Sequence, residues 1–235
     1  MRSPIAVMAV LLLGLGAALA AAPPLALPRH LPPAERARLE AIIQGSFAST
    51  RVEHEPYVAR AEIWEYLLDH PEFATHVTRA LKLARYRIWH DGAGLWLDDG
   101  WGVIGQFTVV HAERGRRLLY ARGQFEHKLL PGIRGQAVGT LEYAFRPDGE
   151  RQTVVATSAS GYLQVDNRAL NALGKLAAPL VQAKADREAG LLLRTFARAT
   201  RAIEEAPAQV YQVVSEHPDV PRPELEEFRR LLRLP

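Results

Sequence analysis

The chain of 235 residues contains no cysteine. That absence excludes a disulfide framework, a lipid-modified N-terminal cysteine and thiolate metal sites. Lysine is scarce, at positions 82, 128, 175 and 184 only, so arginine supplies nearly all of the 29 basic residues. The 26 acidic residues are interspersed among them and the net charge is only +3. This composition speaks against a nucleic-acid-binding protein and leaves at most a weak attraction to anionic lipid head groups. No catalytic signature is present either. There is no G-x-S-x-G elbow, no Walker loop and no G-x-G-x-x-G between a strand and a helix. His54-Glu55 lacks the second histidine of a zinc helix, and Asp91, Asp98 and Asp99 sit where turns use carboxylates for backbone bonding. No metal and no cofactor are therefore expected.

The first twenty residues read as a targeting segment. Arg2 precedes an apolar run from Ile5 to Leu19, and Ala18-Leu19-Ala20 fits a small-x-small cleavage site. The chain is expected to be exported, periplasmic or secreted, after cleavage near Ala20. The alternative is a retained anchor, against which stand the shortness of the run and the following Pro23-Pro24. Cleavage leaves about 215 residues, enough for one core. Residues 21–33 form a proline-rich linker, 34–206 the main domain and 207–235 a helical tail.

Pro32-Pro33 opens a helix over 34–44, and 46–54 reads as a first strand. Two short helices follow, 59–70 and 71–80, with Pro71 dividing them. Six strands come next, at 83–90, 95–97, 101–111, 116–127, 134–146 and 151–163, separated by short turns such as Asp91-Gly92 and Asp148-Gly149. Such turns join antiparallel neighbours. From Asn167 to Glu205 runs one long amphipathic helix, with Pro179 inside it and Pro207 ending it. The tail holds two further helical stretches.

In the later strands the odd positions are the apolar ones: Phe107 and Val109, then Leu119 and Phe125, then Leu141 and Tyr143. The even positions carry Gln106, Arg122, Gln124 and Gln136, which predicts one buried and one wet face. Small residues on the odd face, such as Gly105, Gly123 and Gly139, mark either bends of a curved sheet or room for a ligand.

The order of strand, two short helices, six strands and a long C-terminal helix resembles the START-like helix-grip superfamily, which includes the polyketide cyclase/dehydrase-like lipid-binding proteins. The segment Ile63-Trp64 through Leu67-Leu68-Asp69-His70-Pro71-Glu72 is similar to that family's first helix, with His70 inserted between the Asp and the Pro. The resemblance covers residues 46–205 and is architectural. It implies an α+β fold: a seven-stranded curved antiparallel sheet wrapped around a long C-terminal helix, with extra helices at both ends. It also implies a hollow under that helix in which a small apolar ligand or lipid binds.

The expected lining is Phe107, Val109, Leu119, Phe125, Leu141, Tyr143, Leu173, Leu176 and Leu180. Arg85, Tyr86 and His111 are candidate polar groups in it. Leu129, Leu130 and Ile133 belong to an almost wholly apolar segment between two strands. This segment is either a core plug or a pocket entrance that touches membrane transiently. Two other functions remain open: an enzyme of polyketide cyclase type on the same fold, with His111 or Arg85 as its first titratable candidate, and an interaction module whose terminal helices dock on a partner.

Overall fold

The computed structural model describes residues 25–92, 94–100, 102–127, 130–149, 152–166 and 178–235. The first twenty residues, expected to be a targeting segment, and the stretch 167–177, expected to begin the long helix, lie outside these. The architecture is the α+β one expected: a seven-stranded, wholly antiparallel sheet with helices at both ends of the chain and a long helix packed on it. Helix α1 (Pro33–Gln44) is followed by β1 (Ala48–Val58), α2 (Ala61–Asp69) and α3 (Pro71–Ala80). Then come β2 (Arg87–Asp91), β3 (Gly94–Asp98), β4 (Val103–Glu113), β5 (Arg116–His127), β6 (Leu130–Asp148) and β7 (Gln152–Val165). The chain ends with α4 (Ala178–Glu205), α5 (Pro207–Ser215) and α6 (Arg222–Leu231). The strand order is β1-β7-β6-β5-β4-β3-β2, so β1 and β2 are the two edges.

Helix α4 runs along edge strand β1 in the same direction. Gln182, near its start, bonds Ser49, and Glu204, near its end, takes the backbone N–H of Arg60 at 2.9 Å. Toward that end Ala197 and Phe196 reach over the sheet and pack with Tyr57, Trp64, Leu141, Tyr143 and Val155. Helices α2, α3, α5 and α6 close around Phe73, Val77, Ile203, Val214 and Phe228, so the C-terminal tail is part of the same packed body.

The opposite face of the sheet is not simply wet. Leu39 and Ile42 of α1 cover Leu118 and Val138, all four essentially without solvent contact. Leu118 and Leu119 are adjacent in one strand, so they point to opposite faces. The even positions are therefore divided along the strands: Leu118 and Val138 form a second core, while Arg122, farther along, stays exposed. A period-two reading averages over that division, which is why the sequence showed only the polar part.

The described part of the apolar segment, residues 130–133, is strand rather than loop. Strand β6 already begins at Leu130, which pairs with His127, while Ile133 pairs with Phe125. Pro131 and Gly132 on β6 thus stand opposite the single residue Glu126. A bulge is a place where proline's missing N–H breaks no ladder bond. Of the expected entrance, Leu129 lies outside the described residues.

Candidate ligand-binding face

The register gathers most of the expected lining on the α4 side of the sheet. Val109 faces Leu119, Phe107 faces Ala121, Val103 faces Phe125, Phe125 faces Ile133, and Leu141 faces Ala159. Because cross-strand partners share a face, this is one continuous apolar surface. Phe107, Leu119, Phe125, Ile133 and Leu141 are half-buried, and Val109 is 38% exposed. Tyr143 is the exception, at 5% exposure. Leu180 lies on α4, with its side chain outside the described residues. Leu173, Leu176 and Leu129 are outside the described residues.

The small residues on this face split into two kinds. Gly105, Gly123 and Gly135 are cross-strand partners in one row. A methyl group on Gly123 would stand 2.7 Å from the Ile104 carbonyl oxygen, so neighbouring backbone closes in on that row. Gly139 is different: the nearest atom to a methyl there is 3.5 Å away. The first row is a tight crease in the sheet, and only the second type leaves ordinary space.

One end of the face is closed and polar, and sequence reading missed it. Arg117 is buried on the apolar parity of β5. Its Nη2 donates to Asp69 Oδ1 at 2.9 Å and its Nη1 to the Tyr143 hydroxyl at 2.8 Å. Glu65 lies 3.4 Å beyond that hydroxyl. Burial lowers the Arg117 pKa, but the Asp69 hydrogen bond and the Tyr143 and Asp69 charges outweigh it and hold the group above its ordinary value. Burial pushes the Tyr143 phenol up against the opposing pull of its Gly115 backbone bond and Arg117. Beside it Trp64 Nε1 donates to the Tyr57 hydroxyl at 2.8 Å, and burial raises that phenol to about 12. The available signal was an arginine in register with Leu119, Ala121 and Phe125, an expensive place for a charge unless a partner waits.

The three candidate polar residues go elsewhere. A bulge between Val109 and His111 places His111 opposite Leu118, on the α1 side. There its Nδ1 stands 3.1 Å from His30 Nε2. The inward position expected for His111 assumed unbroken alternation, and one extra residue reverses it. Arg85 is exposed, with its stem beside Gly100 in the β3–β4 turn. Tyr86 bonds Thr78 of α3, and burial raises its pKa against that bond.

A separate open depression of about 490 Å³ runs from Glu53, His54 and Pro56 across Ala156 and Ala144 to Arg114 and Arg116. Of the expected lining only Tyr143 touches it. Among the described residues no three histidine, aspartate or glutamate side chains are grouped to hold a metal ion. None of the described helices is long and apolar enough to cross a membrane.

No protein-family model matches the chain, and no curated protein does. Among solved structures, the hypothetical protein jhp0584 of Helicobacter pylori is 13% identical with a TM-score of 0.38, over 65% of this chain and 86% of that one. A conserved protein of Geobacillus kaustophilus is likewise 13% identical, with a TM-score of 0.36, over 72% of this chain and 94% of that one. At those scores neither likeness says anything about function.

Proposed function

We propose that this protein is an exported carrier of a small apolar ligand, of which a lipid is the simplest case, held without covalent chemistry between the α4 side of the sheet and the long helix. The START-like resemblance points the same way. The observation that carries the reading is the row Phe107, Val109, Leu119, Phe125 and Leu141. These are large apolar side chains sharing one face, none of them fully buried. A ligand that covers about 300 Å² of such surface gains on the order of 7 kcal/mol before the cost of association. The Arg117–Tyr143 end supplies the few polar groups that orient a bound molecule.

The enzyme reading loses its two named candidates, since His111 lies on the other face and Arg85 is exposed on the stretch between α3 and β2. The reading as an interaction module has less support as well, because the terminal helices bury their apolar sides within this fold.

Native mass spectrometry of the purified protein, with organic extraction of any retained molecule, tests the proposal. A bound lipid is expected, and Val109→Asp should release it. Protein that carries nothing, and takes up nothing from a mixed lipid extract, would overturn the carrier reading.

A further inference from the structure

Along α4 the residues Lys184, Arg187, Leu191, Arg194, Arg198 and Arg201 follow one another at intervals of three, four, three, four and three. That spacing places all six on a single stripe of the helix, about 25 Å long. All six are exposed. Leu192, next to Leu191, is exposed too, and the two leucines are 42% and 47% accessible. With Val109 they are the large apolar side chains that stand open to solvent among the described residues.

Of the acids of the same helix, Glu205, four residues beyond Arg201, continues this stripe at its end, and the others leave its arginines free. Asp186 holds the Gln182 side chain at 3.0 Å, and Glu204 is taken by Arg60 at 3.0 Å. Glu188 pairs with Lys184 at 3.2 Å. Among the described residues Arg187, Arg194, Arg198 and Arg201 have no acidic partner. Four unpaired guanidinium groups bracket two exposed leucines on a rigid helix that is anchored by its other side.

We propose that this stripe is a docking surface for an anionic phospholipid bilayer, with the arginines at the phosphates and Leu191 and Leu192 inserted at the acyl boundary. Charge complementarity selects an anionic partner. The exposed leucines favour a bilayer over a soluble polyanion, which offers apolar side chains nothing to enter. The net charge of +3 conceals the surface, because it sums 29 basic and 26 acidic residues over the whole chain. The inference goes beyond the carrier reading and does not require it, although a carrier that lay down on this helix would bring its apolar face next to the lipid.

Co-sedimentation of the ligand-stripped full chain with vesicles tests it, using phosphatidylcholine alone and phosphatidylcholine mixed with phosphatidylglycerol. Binding to the mixed vesicles only is expected, weakening as salt rises. Each basic residue near such a surface is worth about fivefold in partition, so Arg194→Gln with Arg198→Gln should cost about 25-fold. Leu191→Ser with Leu192→Ser should weaken vesicle binding severalfold and leave retention on a heparin column unchanged. Equal binding to both vesicle types, no binding, or insensitivity to the arginine pair would overturn the proposal. So would leucine variants that bind vesicles like the parent, which would make a soluble polyanion the partner. The salt titration needs no variant and remains decisive if a substitution impairs folding. A carrier that proves empty in mass spectrometry leaves all these outcomes unchanged, so the two proposals fail separately.

Discussion

The carboxamide of Gln182 occupies both outward-facing backbone groups of Ser49. Its Oε1 accepts from the Ser49 N–H at 3.1 Å, and its Nε2 donates to the Ser49 carbonyl. Ser49 lies on β1, an edge strand whose outer side would otherwise offer a template to another chain. One side chain from the long helix thus does for this edge what a further strand would do. Asp186 holds the Nε2 end in place.

Gln182→Ala should therefore reopen the edge. Two backbone groups lose their partner, at a cost of about 1–2 kcal/mol. Urea unfolding would register the loss, and light scattering during refolding should rise above that of the parent. Unchanged values in both would mean that water or a neighbouring group serves Ser49 equally well.

The glycine crease makes a sharper comparison. Gly123→Ala places a methyl 2.7 Å from the Ile104 carbonyl oxygen and 3.0 Å from the Gly105 Cα, both backbone atoms with little freedom to withdraw. Gly139→Ala meets its nearest atom, the Ser160 carbonyl oxygen, at 3.5 Å. The first substitution should destabilise by about 2 kcal/mol or more and the second by much less. Equal costs would mean that the crease is not where the sheet is tight.

The Arg117–Asp69 pair is asymmetric, since the arginine side chain is 10% exposed and the aspartate 57%. Removing Asp69 leaves a cation that still bonds backbone carbonyls and Tyr143. Asp69→Asn should cost about 1 kcal/mol, as for a pair with one solvated partner. Arg117→Ala empties a buried site, leaves the Tyr143 hydroxyl only its long contact to Glu65 and should cost about 3 kcal/mol. The order of the two midpoints in urea checks this, and a larger loss from the aspartate would refute it.

His76 makes stability depend on pH. Burial lowers its pKa below the ordinary 6.5 of an imidazole, helped by His217 and Arg79 and resisted by Asp219, with Arg87 adding a smaller push downward. Above 6.5 both folded and unfolded chains hold the imidazole neutral, so the contribution is intact. As the pH falls through that value the unfolded chain binds a proton that the folded one resists, and stability declines. His76→Gln should flatten the fall between about pH 7 and pH 5, the window in which an unshifted histidine titrates. Parallel pH profiles for the parent and the variant would assign the acid sensitivity to other groups.

Much of this molecule was legible as local pattern. Seven strands and the helices around them fall close to where alternation, prolines and turn residues put them, because each depends on neighbours a few positions away. The apolar face containing Phe107, Leu119 and Leu141 was legible for the same reason. What misled was any inference that needed the alternation to hold to a strand's end. His111 sits one residue past a bulge, and the apolar segment at Leu130 and Ile133 is strand rather than loop because a second bulge accommodates Pro131. A bulge leaves little trace in sequence, since its signal is the partner strand.

The chain alone determined its periodicities, its lack of thiols and the sequence spacing of six residues from Lys184 to Arg201. Tertiary structure decided that α1 covers Leu118 and Val138, that Arg117 meets Asp69 and Tyr143, and that Asp186 and Glu204 of α4 are engaged by Gln182 and Arg60 rather than by the arginines of the stripe. The reason is range: periodicity is set within a few residues, whereas the partner of a buried charge or of an open edge is chosen only when segments up to 133 positions apart, as Ser49 and Gln182 are, come to lie side by side.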